Sequence, residues 1–168
     1  TVLTMSAEDE IGGAGEMDIE TTVDSLDASS TGAGDIVITE TDAITVTHAG
    51  TADGAITITA GGAVIVTHVV ATGGDIDISA TGAMGSVRVD DMVSGDQDVT
   101  LRAATDLTVV NGATVEARNG DAVALWADTN ADGAGDVDLR AGSTVTAVGG
   151  DIFLAGDSIT TGGTLESD

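Results

Sequence analysis

The sequence is defined first by the residues that it lacks. Its 168 residues include no cysteine, proline, lysine or tyrosine, and only one tryptophan and one phenylalanine. Without cysteine there is no disulfide framework and no thiolate metal site. No apolar run approaches the ~20 residues of a membrane-spanning helix, so we expect no membrane insertion. The chain does not begin with a signal segment, in which a basic region precedes an apolar run. From its start at Thr1 we expect a processed or excised piece of a longer protein.

Positive charge is also scarce. Four arginines stand against 29 Asp and Glu residues, which gives a net charge of −25 at pH 7. A chain this acidic is not attracted to nucleic-acid phosphates or to anionic lipids, so we expect no nucleic-acid partner. Cations are the expected small partners. Most of the carboxylates are expected to form a solvated, self-repelling surface of the kind found in secreted or salt-adapted proteins.

The residues that are abundant are small or β-branched. Hydrophobic residues make up 42% of the chain, almost all of them Val, Ile, Ala and Leu, and there are 24 glycines. Such side chains suit a narrow interior between strands, and Gly with Asp, Asn and Thr suits tight turns. The composition therefore predicts many short strands joined by turns and argues against long helices.

A repeat of about twenty residues is the strongest pattern. Residues 34–53 align with residues 54–73, and the next unit begins at Gly74 and slips by about one residue near Val87 and Val89. The residues that recur unchanged twenty positions later are Gly34, Ile36, Ile38, Thr39, Ala43, Val46, Thr47 and His48. Identity at a fixed offset is typical of proteins that stack one structural unit on the next.

The later units are longer but still related. Residues 104–121 align with residues 134–151 at an offset of thirty, whereas DVTLRA from Asp98 corresponds to AVALWA from Ala122 at an offset of twenty-four. About six residues are therefore inserted between the two halves of the later unit. The insertion falls in Asp128–Gly135.

The spacing of apolar residues within each unit indicates strands. Ile36 and Ile38 alternate with outward residues, as in a strand with one buried face. Such short strands cannot bury that face alone, but units stacked about 4.8 Å apart share a core. We therefore predict an all-β parallel β-helix, or β-solenoid, with coils of about 20 to 24 residues and some seven coils in a rod ~35 Å long. An antiparallel β-sandwich is the alternative, although it does not explain the identities at fixed offsets.

The repeat also suggests domain boundaries. We expect an N-terminal extension or cap at residues 1–14, a single β-solenoid domain at residues 15–165 and a C-terminal tail at residues 166–168. The first unit begins near Gly15 in GEMDIE, and the pattern still runs at Gly150. Neither end carries an obvious helical or charged cap, which an isolated solenoid needs to cover its last coil. We therefore expect the piece to continue into further coils or to stack head to tail with other copies.

Three units share a more specific motif. It reads Gly-Asp-Ile-x-Ile with Thr or Ser next at Gly34 and Gly74, and Gly-Asp-Ile-x-Leu at Gly150. These units resemble filamentous-haemagglutinin-type repeats over about residues 13–165. The resemblance implies a right-handed β-helix that bacteria export across the outer membrane and use as an adhesin or surface filament.

One loop has oxygen-bearing side chains at alternate positions around a glycine turn. The candidate metal ligands are Asp128, Asn130, Asp132 and Asp136. With Gly133 in the turn, their spacing resembles the first nine positions of an EF-hand or dockerin calcium loop. The Glu expected at the twelfth position is replaced by Leu139, so the predicted calcium site is weak. The alternative is a polar surface loop that bulges from one coil.

Two histidines occupy equivalent positions in successive units. The predicted stack places His48 and His68 within about 5 Å of each other on one face. Because no third His and no Cys exists, we interpret the pair as a ladder of polar corner residues and not as metal ligands.

The only aromatic side chains are predicted to lie on the outside. Trp126 and Phe153 alternate with the inward residues Leu125, Ile152 and Leu154. An exposed aromatic on a strand is a candidate interface with a partner or a neighbouring filament. The alternative is that the Asp128–Gly135 loop covers it.

Together these patterns favour a structural function. We expect a segment of a secreted, cell-surface bacterial fibre or adhesin that self-associates or continues in a longer solenoid, with a surface glycan or host receptor as its target. Catalytic β-helices need clustered carboxylates with a base or cation, and usually aromatic platforms for sugar. This chain has no Lys and no Tyr and only four Arg, so we do not expect an enzyme. A polysaccharide-binding or polysaccharide-cleaving β-helix is the alternative.

Overall fold

The computed structural model of the protein describes residues 1–13 and 18–167. These residues form strands joined by turns and bends, and they include no helix that is long and apolar enough to cross a membrane. The first half of the predicted first motif, GEMDIE from Gly15, lies outside the described residues, as does Asp168 of the predicted tail.

The described residues contain eighteen strands. In chain order they are β1 (Val2–Ala7), β2 (Ile19–Thr21), β3 (Ser25–Ser30), β4 (Ile36–Glu40), β5 (Ile44–Thr51), β6 (Ile56–Ala60), β7 (Val64–Ala71), β8 (Ile76–Ala80), β9 (Val87–Gly95), β10 (Val99–Ala103), β11 (Leu107–Val109), β12 (Thr114–Ala117), β13 (Val123–Trp126), β14 (Asp136–Leu139), β15 (Thr144–Ala147), β16 (Ile152–Ala155), β17 (Ser158–Thr161) and β18 (Thr164–Ser167).

The strands form two sheets in which every pair of neighbours is parallel. The seven-stranded sheet has the order β16-β13-β10-β8-β6-β4-β2, and the eleven-stranded sheet contains the remaining strands. The chain alternates between the two sheets, so each strand pairs with its equivalent in the next coil. The fold is a parallel β-solenoid of about seven turns, as predicted. The β-sandwich alternative is wrong, because its neighbouring strands would run in opposite directions.

The register of the strands reproduces the offsets of the sequence repeat. Ile36 pairs with Ile56, and Ile56 pairs with Ile76, twenty positions further on each time. Val99 pairs with Val123 at the predicted offset of twenty-four. Strands β12 and β15 pair at the predicted offset of thirty. Repetition in the sequence therefore corresponds to stacking in space.

Two coils depart from the twenty-residue repeat. Val64 pairs with Val87, so the slip near Val87 is three residues and not one; the additional residues lie in the turn between β8 and β9. Val123 pairs with Ile152, so that coil has 29 residues, in agreement with the predicted insertion of about six. The excess is the loop between β13 and β14, where the sequence predicted an insertion.

The strands of the eleven-stranded sheet change form along the stack. In β5, Val46 and Ala49 both point inward while Thr47 and His48 between them point outward, so the alternation reverses at a corner. The strand stays continuous in β7 and β9, and from β11 and β12 onward a turn separates the two halves. The long strand β9 consequently pairs with β11 along its first half and with β12 along its second.

The core is a set of apolar columns that run through the stack. One column is Ile11, Ile36, Ile56, Ile76, Val99, Val123 and Ile152, and another is Ile44, Val64, Val87, Leu107, Val137 and Ile159. The interior members are 0–2% exposed. Full burial of one such side chain contributes about 1.5–3 kcal/mol. Contacts along each column therefore stabilise the fold as much as contacts along each strand do.

The Gly-Asp motif has a specific role at the corner that precedes the seven-stranded sheet. A methyl group at Gly54 would collide with the carbonyl oxygen of Gly34 in the coil before, and one at Gly74 would collide with Gly54 in the same way. Glycine therefore lets the backbones of successive coils come close enough to stack at this corner.

The aspartate of the motif links one coil to the next. The Asp35 carboxylate accepts a hydrogen bond from the backbone N–H of Ala55 at 2.8 Å, and Asp75 accepts one from the N–H of Asp98 at 3.1 Å. Asp98 in turn accepts one from the N–H of Ala122 at 2.8 Å. These corner carboxylates satisfy donors that the turn geometry would otherwise leave to solvent.

Candidate functional site

The predicted calcium ligands lie in the loop between β13 and β14. The Asp128 carboxylate accepts hydrogen bonds from the backbone N–H groups of Asp132 at 3.0 Å and Gly133 at 3.2 Å. The Asn130 amide donates to the Asp132 carboxylate at 3.0 Å. The loop is thus shaped by its own side chains, which bond to its backbone.

The fourth predicted ligand is placed apart from this network. Asp136 is the first residue of β14, and its N–H donates to the carboxylate of Asp106 at 3.1 Å. Leu139, at the position where a calcium loop carries Glu, is fully buried in the core. No group of three or more His, Cys, Asp or Glu side chains in residues 1–13 and 18–167 is arranged to hold a metal ion. Calcium binding at this loop stays a prediction.

The two histidines stack as the repeat predicted. Their ring centroids are 5.9 Å apart and the ring planes differ by 11°. Nδ1 of His48 lies 3.3 Å from Asp27, and Nδ1 of His68 lies 3.9 Å from Asp91. Each ring therefore faces a carboxylate on the side away from the other ring, which fits the predicted ladder of polar corner residues.

Both aromatic side chains point outward from the seven-stranded sheet. Trp126 is 43% exposed and Phe153 is 52% exposed. Their in-register neighbours across β13 and β16 are alanines, Ala155 beside Trp126 and Ala124 beside Phe153. The predicted exposure is confirmed. The alternative, that the Asp128–Gly135 loop covers the aromatic side chains completely, is excluded. Their role as an interface stays a prediction.

Two open hollows on the surface are lined by acidic residues. The larger, of about 490 Å³, contains Asp98, Asp121 and Asp151 beside the glycine turns of the last coils. The other, of about 320 Å³, contains Asp106 and Asp136 on neighbouring coils. Carboxylates line both hollows because the aspartate positions recur from coil to coil.

The C-terminal end of the stack exposes part of the core. Among the described residues, no strand pairs with the outer edges of β16, β17 and β18. Ile159 continues the column of Val137 but is 45% exposed, and Leu165 continues the column of Val145 but is 41% exposed. We refer to the outer edge of these three strands, with Ile152, Leu154, Ile159 and Leu165, as the C-terminal face.

The N-terminal end is more fully closed. Strand β1, in the segment predicted as an extension or cap, pairs with β3, and its inward residues Leu3 and Met5 are partly buried. Ile11 bridges to Ile36 and is only 5% exposed. We refer to the outer edges of β1 and β2, with Leu3, Met5, Ile11 and Ile19, as the N-terminal face.

A buried carboxylate secures the N-terminal end. Glu40 is 1% exposed, at a position where the next coils have Ala60 and Ala80. Its oxygens accept hydrogen bonds from the Thr21 hydroxyl at 2.5 Å and from the backbone N–H groups of Val23 at 2.9 Å and Thr41 at 3.0 Å. Burial raises the pKa of Glu40, but the hydrogen bonds from Thr21, Val23 and Asp42 outweigh it and the net pKa is lowered. Apolar periodicity does not predict the role of Glu40, although a Glu where later units of the repeat have Ala60 and Ala80 is a visible signal in the sequence.

The comparisons with known proteins identify no family for this chain. No family model, no curated protein and no solved structure matches the chain. The structure therefore supports the β-solenoid fold, and the resemblance to filamentous-haemagglutinin-type repeats is consistent with that fold without being confirmed by a family match.

Proposed function

We propose that the chain is a structural segment of a secreted bacterial surface fibre or adhesin. The observation that carries the proposal is the continuity of the core: the apolar columns of the seven-stranded sheet pass from coil to coil and reach both ends of the stack. A solenoid of this kind gains length by adding coils without any change in its cross-section. Such a rod suits a stalk that holds something away from a cell.

The outer surface fits the same function. The net charge of −25 makes neighbouring rods repel one another and favours their solubility. Insertions such as the loop between β13 and β14 lie outside the core and leave the register of the next coil intact. Variation in such loops would let different segments of one fibre carry different contacts.

The proposal is tested on cells. Antibodies raised against the purified chain would be applied to intact and to permeabilised cells of the source organism, and labelled by immunogold electron microscopy. We expect label on intact cells, on filaments that project from the surface. Label that appears only after permeabilisation would contradict the proposed location and, with it, the fibre.

A polysaccharide-binding β-helix is the second candidate. It is favoured by the two exposed aromatics, which lie on adjacent strands of one face, with Ala124, Ala155 and Arg102 as their in-register neighbours. Aromatic faces of this kind stack on sugar rings. A glycan array probed with the wild type and with Trp126→Ala tests it: binding that is lost in the variant supports a glycan target, and a screen for lyase or hydrolase products distinguishes binding from cleavage.

A further inference from the structure

Three of the apolar columns that end at the C-terminal face begin at the N-terminal face. At the C-terminal face the seven-stranded sheet ends in Ile152 and Leu154, and at the N-terminal face the same two columns begin with Ile11 and Ile19. In the eleven-stranded sheet, the column that ends in Leu165 begins with Met5. These three columns are therefore apolar at both faces, whereas the column of Ile159 begins with Ile44 and does not reach the N-terminal face.

The shapes of the two faces are also compatible. The C-terminal face has two short strands, β17 and β18, where the N-terminal face has the single strand β1. The molecule already contains a junction of this kind, because the single strand β9 pairs in parallel with both β11 and β12. A single-strand coil and a split coil thus stack in register within this fold, there with the single strand on the N-terminal side.

Charge opposes the contact between these faces. The N-terminal coil carries exposed Glu8, Asp9 and Glu10, and the last coil carries exposed Asp151, Asp157 and Glu166. The four arginines, at positions 88, 102, 118 and 140, all lie in the coils between them. Apart from the amino terminus, which pairs with Asp24, the described end coils contain no positive group. The Debye length falls from ~10 Å at 0.1 M salt to ~3 Å at 1 M, so salt removes most of this repulsion.

We propose that the C-terminal face of one copy binds the N-terminal face of a second copy by parallel strand addition, and that ionic strength controls the association. This inference rests on the proposed fibre function and names its partner and its regulation. The unpaired strand edges supply the backbone hydrogen bonds. The exposed Ile159 and Leu165 supply the apolar contact. Because the two faces differ, the contact is head to tail and does not close on itself.

The experiment is sedimentation velocity of the purified chain from about 0.02 M to about 2 M NaCl, with electron microscopy of the same samples. We expect a single particle of 16.4 kDa at low salt and longer rods, of unchanged width, at high salt. In the double variant Ile159→Asp, Leu165→Asp, association at high salt should be lost. These side chains are more than 40% exposed in the single chain, so the substitutions should leave the fold intact, as circular dichroism would verify.

Phe153→Asp is the matched control. Phe153 is 52% exposed and lies on the same last coil, but it points sideways from the stack and not along it. We expect this variant to form rods as the wild type does. Association lost in Phe153→Asp but kept in the double variant would overturn the end-to-end contact in favour of a lateral one.

A wild type that stays a single particle up to the highest salt would also overturn the inference. That result would leave the proposed function standing, because a segment that lies within a longer solenoid has no need to bind a copy of itself. Surface labelling of cells tests the proposed function and rod formation in solution tests the end-to-end contact, so a negative result in one leaves the other claim standing.

Discussion

A coil in the middle of the stack and the coil at its C-terminal end are built from the same columns but bury them to different extents. Val137 and Val145 are completely buried, whereas their successors Ile159 and Leu165 are 45% and 41% exposed. The residue types are alike, so the difference comes from the coil that is present on one side only. In this fold a side chain becomes a core residue through its neighbours along the axis.

The two ends also differ from each other. At the N-terminal end a buried carboxylate ties the β2–β3 connection to the next coil through side-chain and backbone donors. At the C-terminal end the described residues show no comparable polar network over the apolar columns. One end is thus closed by specific hydrogen bonds, and the other presents strand edges and apolar side chains to solvent.

The largest expected effect separates the middle from the end. Ile58→Ala removes a fully buried side chain and should lower the free energy of unfolding by about 2–5 kcal/mol, because the coils on both sides hold the cavity open. Leu165→Ala should cost less than about 1 kcal/mol, because its side chain is already partly in water. Urea unfolding followed by circular dichroism measures both. Equal losses would contradict the comparison.

A smaller effect is expected at the closed end. Glu40→Gln replaces one carboxylate oxygen by an amide that points at backbone N–H groups, and it should lower the free energy of unfolding by about 1–3 kcal/mol at pH 7. Glu20→Gln, on an exposed position of β2, is the control and should change little.

The same variant predicts a pH dependence. Because the pKa of Glu40 is lower in the folded chain than in the unfolded chain, its contribution is complete above the usual Glu value of about 4.3 and is lost as the pH falls through the folded value. The stability difference between wild type and Glu40→Gln should therefore shrink in acid. A difference that stays constant from neutral pH to strong acid would show that the carboxylate charge has no part in it.

The smallest effect is expected on the outer face. Arg102 makes two contacts with the Asp77 carboxylate, at 2.5 and 2.6 Å, across neighbouring coils. Both side chains are about 40% exposed, so solvent screens the pair and Arg102→Gln should cost less than about 1 kcal/mol. A loss as large as that of Ile58→Ala would mean that surface charges, and not the apolar columns, hold the coils together.

Much of the fold was predictable because the repeat encodes the stacking directly. Residues such as Ile36 and Ile56 recur at the offset at which they pair, and the insertion at Asp128–Gly135 falls where the chain leaves the core. The stacking of His48 on His68 follows from the same offset. The alternation of Trp126 with Leu125 likewise predicted that the aromatic ring points outward.

Other features do not follow from periodicity. The second half of β5 was missed because its inward residues Ala49 and Thr51 are small or polar and resemble turn residues in the sequence. The role of Glu40 depends on donors from Thr21 and Val23, which lie in the previous coil and are brought near only by the register. The exposure of the C-terminal face depends on which strands lie above it, which no local pattern records.

The most direct test of the stacked coils uses cysteine pairs, since the chain has no cysteine of its own. Thr59 and Ser79 are in register on neighbouring strands and point outward, where parallel strands lie about 4.8 Å apart. The double variant Thr59→Cys, Ser79→Cys should form an intramolecular disulfide readily, whereas Thr57→Cys, Ser79→Cys, which is two residues out of register, should not. Failure of the first pair, or equal cross-linking of both, would contradict the parallel stack.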